Sequence, residues 1–208
     1  MIVERTLNNL KEVSNLARKR SFDSNVVLDQ IMIYFWRHGF QATGFRELTT
    51  ETGIKAQSLY NAYGSKNALY YQALEHYVAV TSEVADGIVA SDQTWDNKVA
   101  ALLILDWGKL PYPDGCMVIS SLSEFDEIDP KLNEVSNKLF EHLTACFIKV
   151  LQPVADELRA DLEIGGIATQ LLTIHNGIQV AVRDNQYPTD IRQIVATTIQ
   201  ALRTEKTV

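Results

Sequence analysis

Residues 21–64, SFDSNVVLDQIMIYFWRHGFQATGFRELTTETGIKAQSLYNAYG, carry the punctuation of three short helices. Asp23 is a good N-cap, Phe22 before it is placed to staple onto Val27, and Val27, Leu28, Ile31, Met32 and Phe35 recur at helical spacing. The first helix therefore buries one face. It stops at Gly39, which supplies a left-handed residue, with Phe40 placed to fold back on Phe35. A second helix starts after Gly44, a tolerated N-cap, with Glu47 at its third position and Leu48 turned inward, and ends at Gly53. From about Ala56 to Tyr63 a third carries Leu59 and Tyr63 on one side and Gln57, Ser58 and Asn61 on others. This is the pattern of a helix-turn-helix. Small polar side chains on the exposed face of its second helix are the groups that hydrogen-bond base edges in a DNA major groove.

The residues also resemble a family. Gly39 to Leu48 read G-F-x-A-T-G-x-x-x-L and Thr52 to Lys66 read T-G-I-x-x-x-S-L-Y-x-x-Y-G-S-K, a pattern similar to the N-terminal domain of TetR-family (tetracycline-repressor-like) transcriptional regulators. The likeness spans roughly Arg18 to Tyr77. Beyond it only helical content and the run Gly115-Cys116-Met117 resemble one branch of the family. The resemblance implies an all-α dimer whose N-terminal domains bind a palindromic operator and whose C-terminal domains hold a small-molecule inducer. Two positions depart from the family pattern: Lys55 stands where a Ser commonly caps the recognition helix, and Gly44 where a Ser or Thr usually caps the helix before it. A poor cap costs ~0.5–2 kcal/mol, which a buried three-helix unit absorbs. The expected organisation is an extension over 1–17, a helix-turn-helix domain over 18–66 and a helical ligand-binding and dimerisation domain over 67–208.

Charge is divided along the chain. The total is −7, wrong at first sight for a DNA binder, but residues 1–77 hold nine Lys+Arg against seven Asp+Glu and residues 78–208 ten against nineteen. Only the first part suits phosphate. An acidic remainder confines DNA to one end, and is equally ordinary for a solvated surface. Two cysteines make no disulfide framework or zinc-type spacing, residues 1–20 lack a signal-peptide apolar run, and no stretch of eighteen apolar residues is present. A reducing, cytoplasmic location is the expectation, with no metal and no cofactor.

Past Gly64, Ser65 caps a long helix in which Leu69, Tyr70, Ala73, Leu74, Tyr77, Val84 and Ile88 keep one apolar face to about Ala90. Further helices are expected over 94–109, 117–125, 130–151, 162–183 and 189–203, with a Pro- and Gly-broken loop over 110–115. In the last pair, Ile167, Leu171, Ile174 and Ile178 on one helix and Ile191, Ile194, Val195 and Thr198 on the other form apolar faces. They fit half of a four-helix dimer interface by analogy with the family, and core packing within one chain equally well. Residues 1–17 repeat Leu7, Leu10, Val13 and Leu16 at a three-residue stride, consistent with a short extra helix or a loose leader.

The candidate DNA contacts divide by chemistry. Lys19 and Arg20, beside Arg18, form a basic run suited to phosphates or the minor groove. Lys66 lies in the first turn of the long helix, where the macrodipole disfavours a cation by ~0.3–1 kcal/mol unless an anion such as phosphate is near. Tyr60 has a hydroxyl for a phosphate, and Thr43 and Gly44 offer backbone N–H groups at a helix start. Gln57, Ser58, Asn61 and Lys55 are the base-edge candidates, since Gln and Asn pair bidentately with adenine and Lys donates to guanine. For an apolar inducer, Trp107, Tyr112, Met117, Phe125, His142 and His175 are candidate pocket residues or plain core. Cys116 follows Gly115 at an expected helix N-terminus, where the dipole favours a thiolate open to an electrophile or oxidant; the other reading is a buried, inert cysteine, with Asp114 raising the thiol pKa.

No nucleophile elbow, H-E-x-x-H pair or Gly-rich phosphate loop points to an enzyme. The expectation is a ligand-released repressor. The alternative is a helical binding or scaffolding module without sequence-specific DNA contact.

Overall fold

In the computed structural model, residues 23–105, 112–125, 129–184 and 190–204 are described. Among them are nine α-helices: α1 Ser24–His38, α2 Phe45–Thr52, α3 Ala56–Tyr63, α4 Lys66–Ala90, α5 Trp95–Ile104, α6 Met117–Glu124, α7 Pro130–Leu151, α8 Ile164–Asp184 and α9 Ile191–Leu202. The all-α expectation is met. No helix among the described residues is long and apolar enough to cross a membrane.

Local chemistry sets most of the helix ends. Asp23 caps α1 through Asn25 N–H at 2.9 Å, Ser65 caps α4 through Ala68 N–H at 3.2 Å, and Asp129 caps α7 through Lys131 and Leu132 N–H at 2.8 and 3.2 Å. Along α7, Leu132, Val135, Leu139, Leu143, Phe147 and Val150 are all buried, as their spacing predicts. The Phe22 staple lies outside the described residues.

Two endings differ from expectation. Gly39 has the positive φ expected of it, +79°, but an extended ψ of 173°, so the chain leaves α1 without a Schellman turn. Phe40, expected to fold back on Phe35, follows this extended turn. It is carried towards the core, its ring centroid 4.9 Å from Tyr70 and 5.2 Å from Phe125. Helix α5 stops at Ile104, five residues short of the expected Lys109, and Leu105 turns left-handed at φ 43°. Side chains from α8 cause this: His175 Nδ1 bonds Leu103 O at 3.0 Å and Gln179 Nε2 donates to Ile104 O at 2.8 Å, satisfying carbonyls that would otherwise continue the helix.

Helix α4 is the shared axis. It packs against α1, α3 and α6 and also against α5 and α7, so the head and the C-terminal helices hang on one rod and share one hydrophobic core. Helix α9 packs on α5 and leaves a groove of about 760 Å³ between itself and α8. After α7, a 3-10 turn over Gln152–Glu157 that the pattern did not suggest leads to Leu158, paired with Arg203.

Ile167, Leu171, Ile178 and Val195 are only 1–6% exposed within the single chain. They are core, not a free interface face. Ile174, Ile191, Ile194 and Thr198 are half-buried, and of these Ile174, Ile194 and Thr198 line the groove with Leu171.

Candidate nucleic-acid interface

The head is three helices around one apolar knot. Ile31, Phe35, Leu48 and Leu59 are at most 1% exposed, and Tyr63 Oη donates to Ser24 O at 3.1 Å, tying α3 to the start of α1. The turn between α2 and α3 is made by Gly53, whose φ of 68° and ψ of 4° are left-handed and whose N–H bonds Thr49 O at 3.0 Å. Ile54 N–H donates to Thr52 Oγ1 at 3.2 Å and completes it. Neither Gly44 nor Lys55 makes a side-chain cap. At Gly44 the shortfall is met from the other side, because the Glu47 carboxylate reaches back to accept its N–H at 3.0 Å.

With Leu59 and Tyr63 buried, the opposite face of α3 is outward. Lys55, Gln57, Tyr60 and Asn61 are exposed, Tyr60 at 55%, and Ser58 is half-buried. Gln57 Nε2 donates to Asn61 Oδ1 at 2.9 Å. That bond leaves the Gln57 carbonyl oxygen and the Asn61 amide hydrogens outward, an acceptor and donors held side by side. The Tyr60 ring leans on Phe45 at 6.1 Å between centroids.

Three anticipated phosphate contacts look different in three dimensions. The N–H groups of Thr43 and Gly44 are already taken, by Phe40 O at 3.3 Å and by Glu47 Oε2, and the Thr43 hydroxyl is buried on Gly39 O at 2.7 Å. Neither N–H is therefore free for an anion. Lys66 Nζ sits 4.2 Å from the centre of the Phe40 ring, so a ring face as well as an anion accounts for a cation at that helix start. Arg46, exposed in the first turn of α2, was overlooked in the sequence, although the macrodipole argument applied to Lys66 holds equally for it. Lys19 and Arg20 lie outside the described residues.

Head and core meet where α1 ends. Phe40 N–H donates to Glu124 Oε2 at 2.5 Å, and Arg183 from α8 bonds Trp36 O at 3.3 Å and the Ser120 hydroxyl. Tyr112 Oη donates to Asp29 Oδ1 at 3.1 Å. A pocket of about 350 Å³ at this junction is walled by Cys116, Ser120, Glu124, Gln179 and Arg183, among others.

Among the described residues, the candidate inducer residues do not all line the junction pocket. Of those described, only Cys116 lines that pocket; Met117 is buried core, Phe125 stacks on Phe40 and Tyr70, and His142 faces Asp86 between α4 and α7. Trp107 is outside the described residues. Cys116 does stand at the N-cap of α6, but burial outweighs the helix N–H groups and pushes its thiol up, which favours the buried, inert cysteine over the reactive thiolate.

His175 is a structural histidine. Its Nδ1–H donates to Leu103 O, and burial lowers its pKa from 6.5 to about 4. Below pH 6.5 the unfolded chain takes up a proton that the folded one refuses, so this contribution is complete above pH 6.5 and is lost as pH falls through about 4. The loss amounts to about 3 kcal/mol. Urea unfolding across that window is expected to show it in the wild type and not in His175→Asn.

Known proteins share this architecture. The model of bacterial regulatory proteins of the tetR family matches residues 27–73, from within α1 into α4. An uncharacterized HTH-type transcriptional regulator of Bacillus subtilis (strain 168), YezE, is 33% identical over 167 residues, covering 75% of this chain and 84% of its own. The chain belongs to the TetR family. It is a DNA-binding transcriptional regulator, similar also to the HTH-type transcriptional repressor ComR of Escherichia coli (strain K12), at 23% identity over 204 residues, 88% of this chain and 90% of that one. Among solved structures, the TetR-family regulator CifR, complexed with a 26-base-pair operator duplex, superposes with a TM-score of 0.65 at 24% identity, covering 88% of this chain and 99% of CifR. In this TetR-family chain, the match to the family model takes in the whole of α2 and α3, the two short helices joined at the Gly53 turn.

Proposed function

We propose that this protein is a cytoplasmic, non-enzymatic repressor that binds a palindromic operator as a homodimer and leaves it when a small molecule binds the C-terminal helices. The outward polar face of α3 carries the reading. Gln57, Asn61, Ser58 and Lys55 meet base edges, while Tyr60, Lys66 and Arg46, with Lys19 and Arg20, meet phosphates. One helix of eight residues reads few base pairs. A two-fold pair doubles them and fixes their spacing at about one helical turn.

The partner is expected against α8 and α9, where the groove holds half-buried Ile174, Ile194 and Thr198 and where Val180 is 45% exposed. The junction pocket offers a route for release. A ligand there competes for Glu124 or Arg183, which otherwise hold Phe40 N–H and Trp36 O, and so loosens α1 from the core. Carboxylate, guanidinium and hydroxyl groups in its wall favour a small polar ligand over the apolar one expected from the sequence.

Salt dependence tests the DNA reading. The logarithm of the binding constant for a duplex is expected to fall linearly with the logarithm of salt, by about 0.9 per phosphate neutralised. Arg46→Ala or Lys66→Ala is expected to flatten that slope by about 1 for each head that loses a phosphate contact. Affinity indifferent to salt would favour the scaffolding alternative.

A further inference from the structure

Helices α4 and α7 bring three metal-ligating side chains together far from the DNA face. A carboxylate oxygen of Asp86, a ring nitrogen of His142 and Cys146 Sγ all lie within 4.8 Å of one another. His142 Nε2 is 3.2 Å from Asp86 Oδ1, and Cys146 Sγ is 3.8 Å from the same oxygen. His142 and Cys146 are one turn apart on α7, so their side chains lie on the same face of it, one above the other.

The His142–Asp86 pair is not a well-made hydrogen bond. Despite the short separation, His142 Nε2 is a buried ring nitrogen with no hydrogen-bond partner of acceptable geometry. Cys146 is fully buried within the chain, while Asp86 is on the rim with its side chain 54% exposed. One donor is thus sunk, one is half-sunk, and one is open to water. That is a cup with a solvent-side mouth.

We propose that Asp86, His142 and Cys146 bind a first-row divalent transition metal of the zinc class. Around tetrahedral Zn²⁺, metal–ligand bonds of about 2.0–2.3 Å place neighbouring ligand atoms about 3.3–3.6 Å apart. The separations of 3.2 and 3.8 Å bracket that range, and the three ligand atoms already lie within 4.8 Å of one another, so side-chain rotation is what closing the set requires. One carboxylate oxygen, one imidazole nitrogen and one sulfur form a borderline-soft set that suits Zn²⁺ or Co²⁺, whereas Mg²⁺ and Ca²⁺ demand six or more oxygens. The thiol proton leaves to solvent as the metal–sulfur bond forms. Water takes the fourth position at the mouth. Occupancy staples the C-terminal part of α4 to α7, and α4 is the helix whose other end carries the head. The site stands on the fold alone, so its failure would leave the DNA reading untouched.

The test is a Co²⁺ titration of the reduced, tag-free full chain, followed by absorption. A thiolate-to-cobalt charge-transfer band and intense tetrahedral d–d bands are expected, saturating at one Co²⁺ per chain and bleached by Zn²⁺. The band is expected to survive Cys116→Ser and vanish in Cys146→Ser. Asp86→Asn, on the rim where the core is not at risk, is expected to weaken Co²⁺ by more than about 10-fold. Zn²⁺ should also raise the melting temperature of the wild type but not of Asp86→Asn. Absence of the thiolate band, its loss in Cys116→Ser, or Asp86→Asn binding with undiminished affinity would each overturn the site.

Discussion

Alanine at Gln57 or Asn61 is expected to weaken binding to the preferred duplex far more than binding to random DNA. A bidentate contact between an amide side chain and a base contributes about 1–3 kcal/mol of discrimination, and a two-fold dimer loses it at both half-sites, about 2–6 kcal/mol in total. The preference at one base-pair position per half-site should relax while the salt slope stays as it was. Alanine at Arg46 or Lys66 should do more to the slope. Because Gln57 Nε2 donates to Asn61 Oδ1, each side chain holds the other in place, and the double substitution is expected to cost less than the sum of the two. Binding isotherms on the preferred and a scrambled duplex, read side by side, check this. Equal losses on both would mean that these side chains do not touch bases.

The second large effect is one of stability. Gly115→Ala is expected to destabilise the fold by about 2–5 kcal/mol, from a left-handed residue at about 1–2 and overpacking at about 1–3. Gly115 has φ +83°, and a Cβ there would lie 2.8 Å from Arg183 Cβ and 2.9 Å from Gln179 O, both parts of α8 that cannot swing aside. Gly39 makes the informative contrast. Its φ is +79° and a Cβ would fall 2.5 Å from Glu124 Oε1, but that atom ends a flexible side chain. Gly39→Ala should therefore cost less stability, and should disturb the junction by displacing the carboxylate from Phe40 N–H. Thermal unfolding separates the two. A Gly115→Ala variant as stable as wild type would mean that α6 and α8 are not packed this closely.

How far the chain could be read from its residues depended on whether local chemistry or distant packing decided each feature. Helix α7 was legible because Asp129, Pro130 and six apolar residues in register all point the same way. The outward polar face of α3 was legible for the same reason: burying Leu59 and Tyr63 leaves the Gln57–Asn61 side outward with no further information. The end of α5 was not, since His175 and Gln179 of α8 supply the bonds that stop it. Periodicity also marked the apolar faces of α8 and α9 but could not say whether they meet their own chain or a partner, and Ile167, Leu171, Ile178 and Val195 turn out to be core. The pairing of His142 with Cys146 is written as a one-turn spacing. Only the fold adds Asp86.

Selection of duplexes from a random DNA pool by the purified full chain addresses the central claim, that the exposed face of α3 reads sequence. The enriched molecules should share an inverted repeat whose half-sites lie about one helical turn apart, and Asn61→Ala should enrich a pool degenerate at the same position in each half. A pool that stays random through repeated rounds at low salt, or an identical motif from Asn61→Ala and wild type, would contradict it.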